Sequence, residues 1–252
     1  MEPEAAIEAV TVPLAAPSGR AVVRRHRLST RLWHWLNVVA VAIMLMSGLM
    51  IFNAHPRLYW GAFGANPDHA WLVLPRFPGW ATLPSSYSLA DARLWHLAFA
   101  WVLAPGLLAY LLRALANGHI RHDLHITRAE WRPAHLWGDV IDHLRLRFPV
   151  GPAALRYGVL QKLAYCGVLF GLLPLLILTG LTMSPALDAG LPWLLALFGG
   201  RQSARSLHFL AAGALAAFVV VHLAMVLLAG PVNGVRAMVT GRYRLPAERG
   251  HG

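Results

Sequence analysis

The stretch HFLAAGALAAFVVVH, residues 208–222, decides the fold of this chain. It places thirteen uncharged, mostly small residues between two histidines. Since an α-helix rises about 1.5 Å per residue, His208 and His222 would lie about 21 Å apart along one helix, on nearly the same face. An apolar segment of this length predicts a membrane-spanning helix. Ionisable side chains are rare in such helices, so the two histidines predict a functional site near each end.

Composition indicates a membrane protein. Hydrophobic residues make up 57% of the 252 residues, charged residues make up 13%, and the mean hydropathy is +0.52. The net charge of +11 does not indicate a nucleic-acid partner, because the basic residues lie between apolar runs and form no single patch. The single cysteine excludes an internal disulfide, a cysteine-ligated iron–sulfur cluster and the paired-cysteine attachment of c-type haem. Metal chemistry must therefore depend on the thirteen histidines.

Four apolar runs are long enough to span a bilayer, and none of them contains Asp, Glu, Lys or Arg. They cover about residues 32–52, 94–112, 163–183 and 207–229. The runs predict an all-α integral membrane four-helix bundle that occupies residues 24–240. Residues 1–23 are predicted to be a disordered cytoplasmic segment, and residues 241–252 to be a cytoplasmic tail.

The placement of arginine predicts the orientation. Sixteen arginines lie before the first run, between the second and third runs, or after the fourth, whereas five lie in or beside the other two loops. Because cytoplasmic loops carry the excess of Lys and Arg, both termini are predicted to lie in the cytoplasm of a bacterial inner membrane. The external loop 53–91 is rich in Pro, Trp and Gly and is expected to be ordered. Residues 138–148 of the internal loop are expected to form a basic helix on the membrane surface.

Four histidines in the spans form two pairs by depth. With both termini inside, His34 and His222 lie near the cytoplasmic face, and His96 and His208 lie near the periplasmic face. A b-type haem takes one axial imidazole from each side of its iron, supplied by helices that face each other. The pattern therefore predicts two b-type haems, one for each pair. Five alanines and Gly213 between His208 and His222 leave room for the flat rings.

Other polar residues near the membrane boundary give weaker indications of a functional role. Arg31, Arg93 and Arg205 lie close to three of these histidines and are candidate partners of haem propionates as well as anchors of helix ends. A purely structural role for all four histidines is disfavoured because they pair by depth. A metal site in the internal loop is also disfavoured, since its three histidines have basic neighbours: His119, His122 and His125.

Several stretches resemble one known family. They are RLWHWLN at 31–37, ARLWHLAFAW at 92–101, LTGLTMSP at 178–185 and RSLHFLAAGALAAFVVVH at 205–222. Over about residues 24–240 the chain resembles bacterial cytochrome b561 and the cytochrome b subunit of nickel–iron hydrogenases. Within that family it is similar to the membrane subunits of formate dehydrogenases and thiosulfate reductases. The run FNAHPRLYWG at 52–61 resembles the thiosulfate-reductase branch, whose partner is often a periplasmic molybdopterin oxidoreductase.

The resemblance implies a di-haem bundle that carries electrons between a periplasmic oxidoreductase subunit, of the molybdopterin or hydrogenase type, and membrane quinone. Carried over by motif position, it gives His34 and His222 to the cytoplasmic-side haem and His96 and His208 to the periplasmic-side haem. The redox chemistry belongs to the cofactor, so no catalytic acid, base or nucleophile is expected. The chain would act as the electron-transfer subunit of a membrane oxidoreductase complex.

The family also implies a quinone site beside the cytoplasmic-side haem, for which Asn37, His26 and Arg27 are the nearby candidates. Two other functions stay open. One is a stand-alone haem b enzyme, such as a superoxide:quinone oxidoreductase, although the ordered external loop favours a docking surface. The other is a membrane anchor or a transporter whose histidines bind protons or a metal. The absence of Asp and Glu from the four apolar runs disfavours this function.

Overall fold

A computed structural model of the protein describes residues 22–116, 118, 124–149, 154–155, 157–184 and 190–245. It contains four helices that are long and apolar enough to cross a membrane. They are the first to fourth spanning helices, Leu28–Asn53, Leu89–Ala116, Val159–Thr182 and Arg201–Leu228. The predicted all-α membrane fold with four spans is therefore confirmed. Most of the predicted disordered segment and tail (1–21 and 246–252), together with His119 and His122, lie outside the described residues.

Each spanning helix begins four to six residues before the apolar run that predicts it. The second helix shows the reason. The Ser88 hydroxyl oxygen accepts a hydrogen bond from the backbone N–H of Asp91 at 3.3 Å, and this hydroxyl donates to the Asp91 carboxylate at 2.7 Å. Such a cap satisfies the free N–H groups of the first turn, so the helix starts in polar sequence ahead of the apolar run.

The third spanning helix is irregular at its centre. Val159–Cys166 and Leu173–Thr182 are α-helical, whereas Gly167–Leu172 forms a wider π-helical turn. Pro174 follows this turn and has no backbone N–H, so it cannot continue the α-helical hydrogen-bond ladder from the preceding turn. The π-helical turn therefore lies at the point where the sequence interrupts the ladder.

Contacts divide the chain into two compact units. Unit 1 consists of Met1–Leu36, Ile120–Ala164 and Val221–Gly252, and unit 2 consists of Asn37–His119 and Tyr165–Val220. The core of unit 2 is formed by buried leucines of the second, third and fourth spanning helices: Leu103, Leu107, Leu169, Leu173 and Leu215. Val41 and Met44 of the first helix pack against it. All four helices thus contribute to the apolar core of unit 2.

Two short antiparallel strand pairs are described, one in each unit. In unit 1, β1 (Val22–Arg24) pairs with β4 (Arg242–Arg244). In unit 2, β2 (Arg57–Leu58) pairs with β3 (Leu72–Val73). Pairing of β1 with β4 joins the segment before the first spanning helix to the segment after the fourth.

The internal loop of unit 1 contains one described helix, Pro133–Leu144. The sequence predicts a helix at 138–148, so the helix exists but begins five residues earlier and ends four residues earlier. Proline is favoured in the first turn of a helix because its missing N–H would have no partner there. Pro133 therefore accounts for the earlier start.

Polar contacts fix this loop to the start of the third spanning helix. The Asp139 carboxylate accepts a hydrogen bond from the backbone N–H of Leu160 at 2.9 Å. Lys162 Nζ lies 2.8 Å from Glu130 Oε1, and this hydrogen bond lowers the pKa of Glu130 to about 2. The loop and the helix end therefore form one ordered part of unit 1.

The loop at 53–91, which the sequence predicts to be external and which keeps the name external loop, is ordered, as the sequence predicts. Ser206 of the fourth spanning helix donates to the backbone carbonyl of Tyr59 at 2.7 Å and accepts from the Trp71 indole at 3.1 Å. Gly200 has a positive φ of 105°, and a Cβ there would lie 2.7 Å from the backbone of Ala62. Only glycine fits that close approach, which brings the loop against the start of the fourth helix.

Candidate functional site

His96 and His208 face each other in unit 2. Their ring centroids are 6.2 Å apart, and the ring planes are inclined by 62°. His96 lies in the second spanning helix and His208 in the fourth. The Nδ1 atom of His96 lies 3.1 Å from the Ser47 hydroxyl oxygen, and that of His208 lies 3.0 Å from the Thr179 hydroxyl oxygen. The structure thus brings together the pair that the sequence predicts and adds a hydroxyl partner for each ring.

A glycine follows each of these hydroxyl residues. A Cβ at Gly48 would lie 3.4 Å from His96 Cε1, and a Cβ at Gly180 would lie 3.5 Å from His208 Cε1. The imidazoles therefore lie directly against helix backbone, at a distance that leaves room for one methyl group and little more. Neither Ser47 nor Thr179 is among the residues that the sequence predicts for the site. The available signal was the repeated hydroxyl–Gly–Leu triplet at 47–49 and 179–181.

His34 and His222 face each other in unit 1. Their ring centroids are 6.5 Å apart, with the planes inclined by 57°. His34 lies in the first spanning helix, is half-buried, and meets the Trp35 ring edge-on at 5.3 Å. His222 lies in the fourth spanning helix and is exposed. Within the described part of the chain, Nδ1 of His34 is buried without a hydrogen-bond partner. The two pairs therefore match in separation, and among the described residues His34 lacks the hydroxyl partner that His96 and His208 each have.

The three candidate propionate partners lie in different environments. Arg205 donates to the backbone carbonyls of Arg57, at 2.9 Å, and of His55. These hydrogen bonds attach Arg205 to the external loop. Contact between Arg205 and a haem propionate stays a prediction. Arg31 is half-buried, and its Nε has no hydrogen-bond partner among the described residues. Arg93 is exposed.

Of the three quinone candidates, His26 and Arg27 precede the first spanning helix and Asn37 lies within it. His26 precedes the helix, and burial, followed by the nearby charge of Arg25, lowers the pKa of His26 to about 4. The imidazole is therefore neutral at pH 7 and can accept or donate a hydrogen bond. Arg27 is exposed, and Asn37 is half-buried three residues after His34. Quinone contact by these residues stays a prediction.

Metal-ligating side chains are not clustered in the described part of the chain. Within those ranges, no group of three or more His, Cys, Asp and Glu side chains could hold a metal ion. His125 of the internal loop is exposed, and its backbone carbonyl accepts a hydrogen bond from Lys162 at 3.1 Å. The facing histidine pairs therefore remain the strongest candidate sites.

Four apolar helices and two facing pairs of imidazoles from different helices define a class, the helical integral membrane proteins with histidines paired between spans. The family model described as prokaryotic cytochrome b561 matches residues 25–241, and the chain belongs to that family. Membership in this family makes the chain a membrane-bound b-type cytochrome that functions in electron transport.

Similar proteins support this assignment. The chain is 34% identical over 203 residues to a protein of Azospira oryzae named as a protein-methionine-sulfoxide reductase subunit, YedZ1, a match that covers 79% of this chain and 87% of that protein. It is 25% identical over 249 residues to a protein of Cupriavidus necator named as a nickel–iron hydrogenase B-type cytochrome subunit, with 91% of each chain covered. A protein of Azotobacter chroococcum with the same name is 27% identical and is covered over 75% of its length, as is 76% of this chain.

Proposed function

We propose that this protein is a di-haem b-type cytochrome that carries electrons across the bacterial cytoplasmic membrane, between a periplasmic oxidoreductase subunit and the quinone pool. The single observation that carries the proposal is the pair of facing histidine sets, each contributed by two different spanning helices. His34 and His222 would hold one haem, and His96 and His208 would hold the other. When bound, a b-type haem supplies one-electron transfer at a potential that its axial ligands and surroundings set.

The separations of the rings fit this ligand role. A metal–imidazole nitrogen bond is about 2 Å, so two such bonds plus about 1 Å from each nitrogen to its ring centroid give a separation of about 6 Å. The observed separations are 6.2 Å and 6.5 Å. The inclined ring planes fit as well. A coordinating imidazole can rotate about its metal–nitrogen bond, so the two rings need not be parallel.

The partner is inferred from the relatives and from the loop at 53–91. The relatives named above are subunits of a reductase and of hydrogenases, which supports an oxidoreductase subunit as the partner of this chain. An ordered external loop, held to the fourth spanning helix by Ser203, Arg205 and Ser206, offers a stable docking surface for it. Whether the partner is of the molybdopterin or the hydrogenase type depends on that surface.

The orientation with both termini in the cytoplasm can be tested by labelling single cysteines. In a Cys166→Ala background, Trp80→Cys places a thiol at an external-loop position that is 84% exposed, and Val239→Cys places one in the C-terminal segment at a position that is 52% exposed. With a membrane-impermeant maleimide on spheroplasts, we expect labelling at position 80 at once and at position 239 only after lysis. The reverse order would show that the termini face the periplasm.

The quinone link can be tested by reducing the purified protein with a short-chain quinol. We expect reduction of the b-type absorbance, and a rate about fivefold lower in Asn37→Leu, because one hydrogen bond to the quinone is worth about 1 kcal/mol. Asn66→Leu, an exposed external-loop position, is the matched control and should reduce at the wild-type rate. Absence of quinol-driven reduction in the wild type would contradict the quinone link, and equal rates in the two variants would move the quinone away from Asn37.

A further inference from the structure

We propose that Ser47 and Thr179 are positioning residues, which fix the tautomer of His96 and His208 so that Nε2 of each ring is presented to the iron. This inference depends on the proposed role of the two histidines as haem ligands.

Hydrogen counting determines which group donates. A hydroxyl has one hydrogen and can accept additional hydrogen bonds. The Ser47 hydroxyl lies 2.7 Å from the backbone carbonyl of Ile43, and the Thr179 hydroxyl lies 2.6 Å from the backbone carbonyl of Leu175. A carbonyl can only accept, so each hydroxyl gives its hydrogen to the preceding turn of its own helix. The hydroxyl oxygen must then accept from the imidazole, which places the hydrogen of each ring on Nδ1.

Neighbouring backbone supports the same tautomer. The Ser47 hydroxyl also lies 3.3 Å from the backbone carbonyl of Met44, and the Thr179 hydroxyl lies 3.3 Å from that of Leu176. Each of these carbonyls lies three residues before the hydroxyl residue. A hydroxyl that faces two carbonyls gives its hydrogen to them, so Nδ1 of each imidazole is the donor to the hydroxyl oxygen and Nε2 carries the lone pair that binds a metal.

The two contacts match on separate helices. Ser47 lies in the first spanning helix and Thr179 in the third, both are 0% exposed, and each is followed by the glycine on which its histidine lies. Such a hydrogen bond orients a metal-binding histidine and raises its basicity. His34 differs, since its Nδ1 has no hydrogen-bond partner among the residues that the structure describes. Among the described residues, a hydroxyl partner on Nδ1 is therefore present at His96 and His208 and absent at His34.

The test compares variants that remove only the hydroxyl. Thr179→Val keeps the shape of threonine, and Ser47→Ala removes one atom. We expect each variant to raise the midpoint potential of the same one of the two haems, because a less basic imidazole stabilises the ferric iron less. We also expect binding of that haem to weaken about tenfold, because the imidazole loses the hydrogen bond that orients it. Thr182→Val is the matched control, since the Thr182 hydroxyl is buried and donates only to the Thr179 carbonyl at 2.7 Å.

Conservative variants separate a lost hydrogen bond from a packing defect. Thr179→Ser and Ser47→Thr keep the hydroxyl and should retain the wild-type potential and haem binding. If these variants lose the haem as Thr179→Val does, or if Thr179→Val and Thr182→Val give equal potentials, the hydroxyls do not position the ligands. A wild-type protein without b-type haem would instead contradict the proposed function itself, so the two failures are distinguishable.

Discussion

Replacing His208 by alanine is expected to remove the same haem as His96→Ala, and to leave the other haem in place. Each haem needs both axial imidazoles, and removing one leaves an open coordination position in a site built for two. Haem content should therefore fall from about two to about one per chain in either single variant, and the double variant should lose no more. Pyridine haemochrome quantitation with a redox titration measures both the amount and the identity of the remaining haem.

The other pair provides the internal comparison. His34→Ala and His222→Ala should both remove the second haem, and a His208→Ala, His222→Ala double variant should remove both, because the fourth spanning helix serves each site. His69→Ala, at an exposed position in the external loop, is the control and should keep both haems. If His34→Ala and His222→Ala affected different haems, the pairing would be wrong.

Enlarging the glycines beneath the imidazoles should have the second largest effect. A Cβ fits at Gly180, 3.5 Å from His208 Cε1, but the additional methyl groups of Gly180→Val would extend into the ring. Interiors tolerate such added volume poorly, and the imidazole is the side chain that must move. We therefore expect Gly180→Val to lose the His96–His208 haem, and Gly48→Val to lose the same haem for the same reason.

A graded series tests that steric reasoning. Gly180→Ala should keep both haems, because a single methyl group fits at van der Waals distance. Gly171→Val, in the same spanning helix, should also keep both, since a Cβ there meets no atom within 4 Å and the position is exposed. Haem content and the reduced spectrum separate the outcomes. Loss of the haem in Gly180→Ala, or retention in Gly180→Val, would contradict the steric account.

Much of the fold follows from the sequence because hydrophobic length and charge placement are strong local signals. Four apolar runs predict four spanning helices, and the depth of the histidines along them predicts which rings come together. The pairing of His96 with His208 needs only the direction of each helix, not the details of packing. For that reason the sequence predicts which histidines form each pair without any knowledge of side-chain contacts.

The missed features depend on tertiary contacts that leave only faint local signals. Ser47 and Thr179 are ordinary helix residues until a second helix brings an imidazole to each hydroxyl. The Arg205 guanidinium donates to a backbone carbonyl of the loop at 53–91, a contact that no spacing rule predicts. The sequence predicts the start of the helix Pro133–Leu144 five residues too far along the chain, because the amphipathic pattern is short and the proline sets the start.

The most direct test of the central claim is haem quantitation on the purified protein, together with its dithionite-reduced absorption spectrum. The account predicts a b-type spectrum and about two haems per chain, one for each facing histidine pair. A ratio near one would contradict the two-haem arrangement, and a protein without a b-type α-band would contradict the assignment of the histidine pairs as haem ligands.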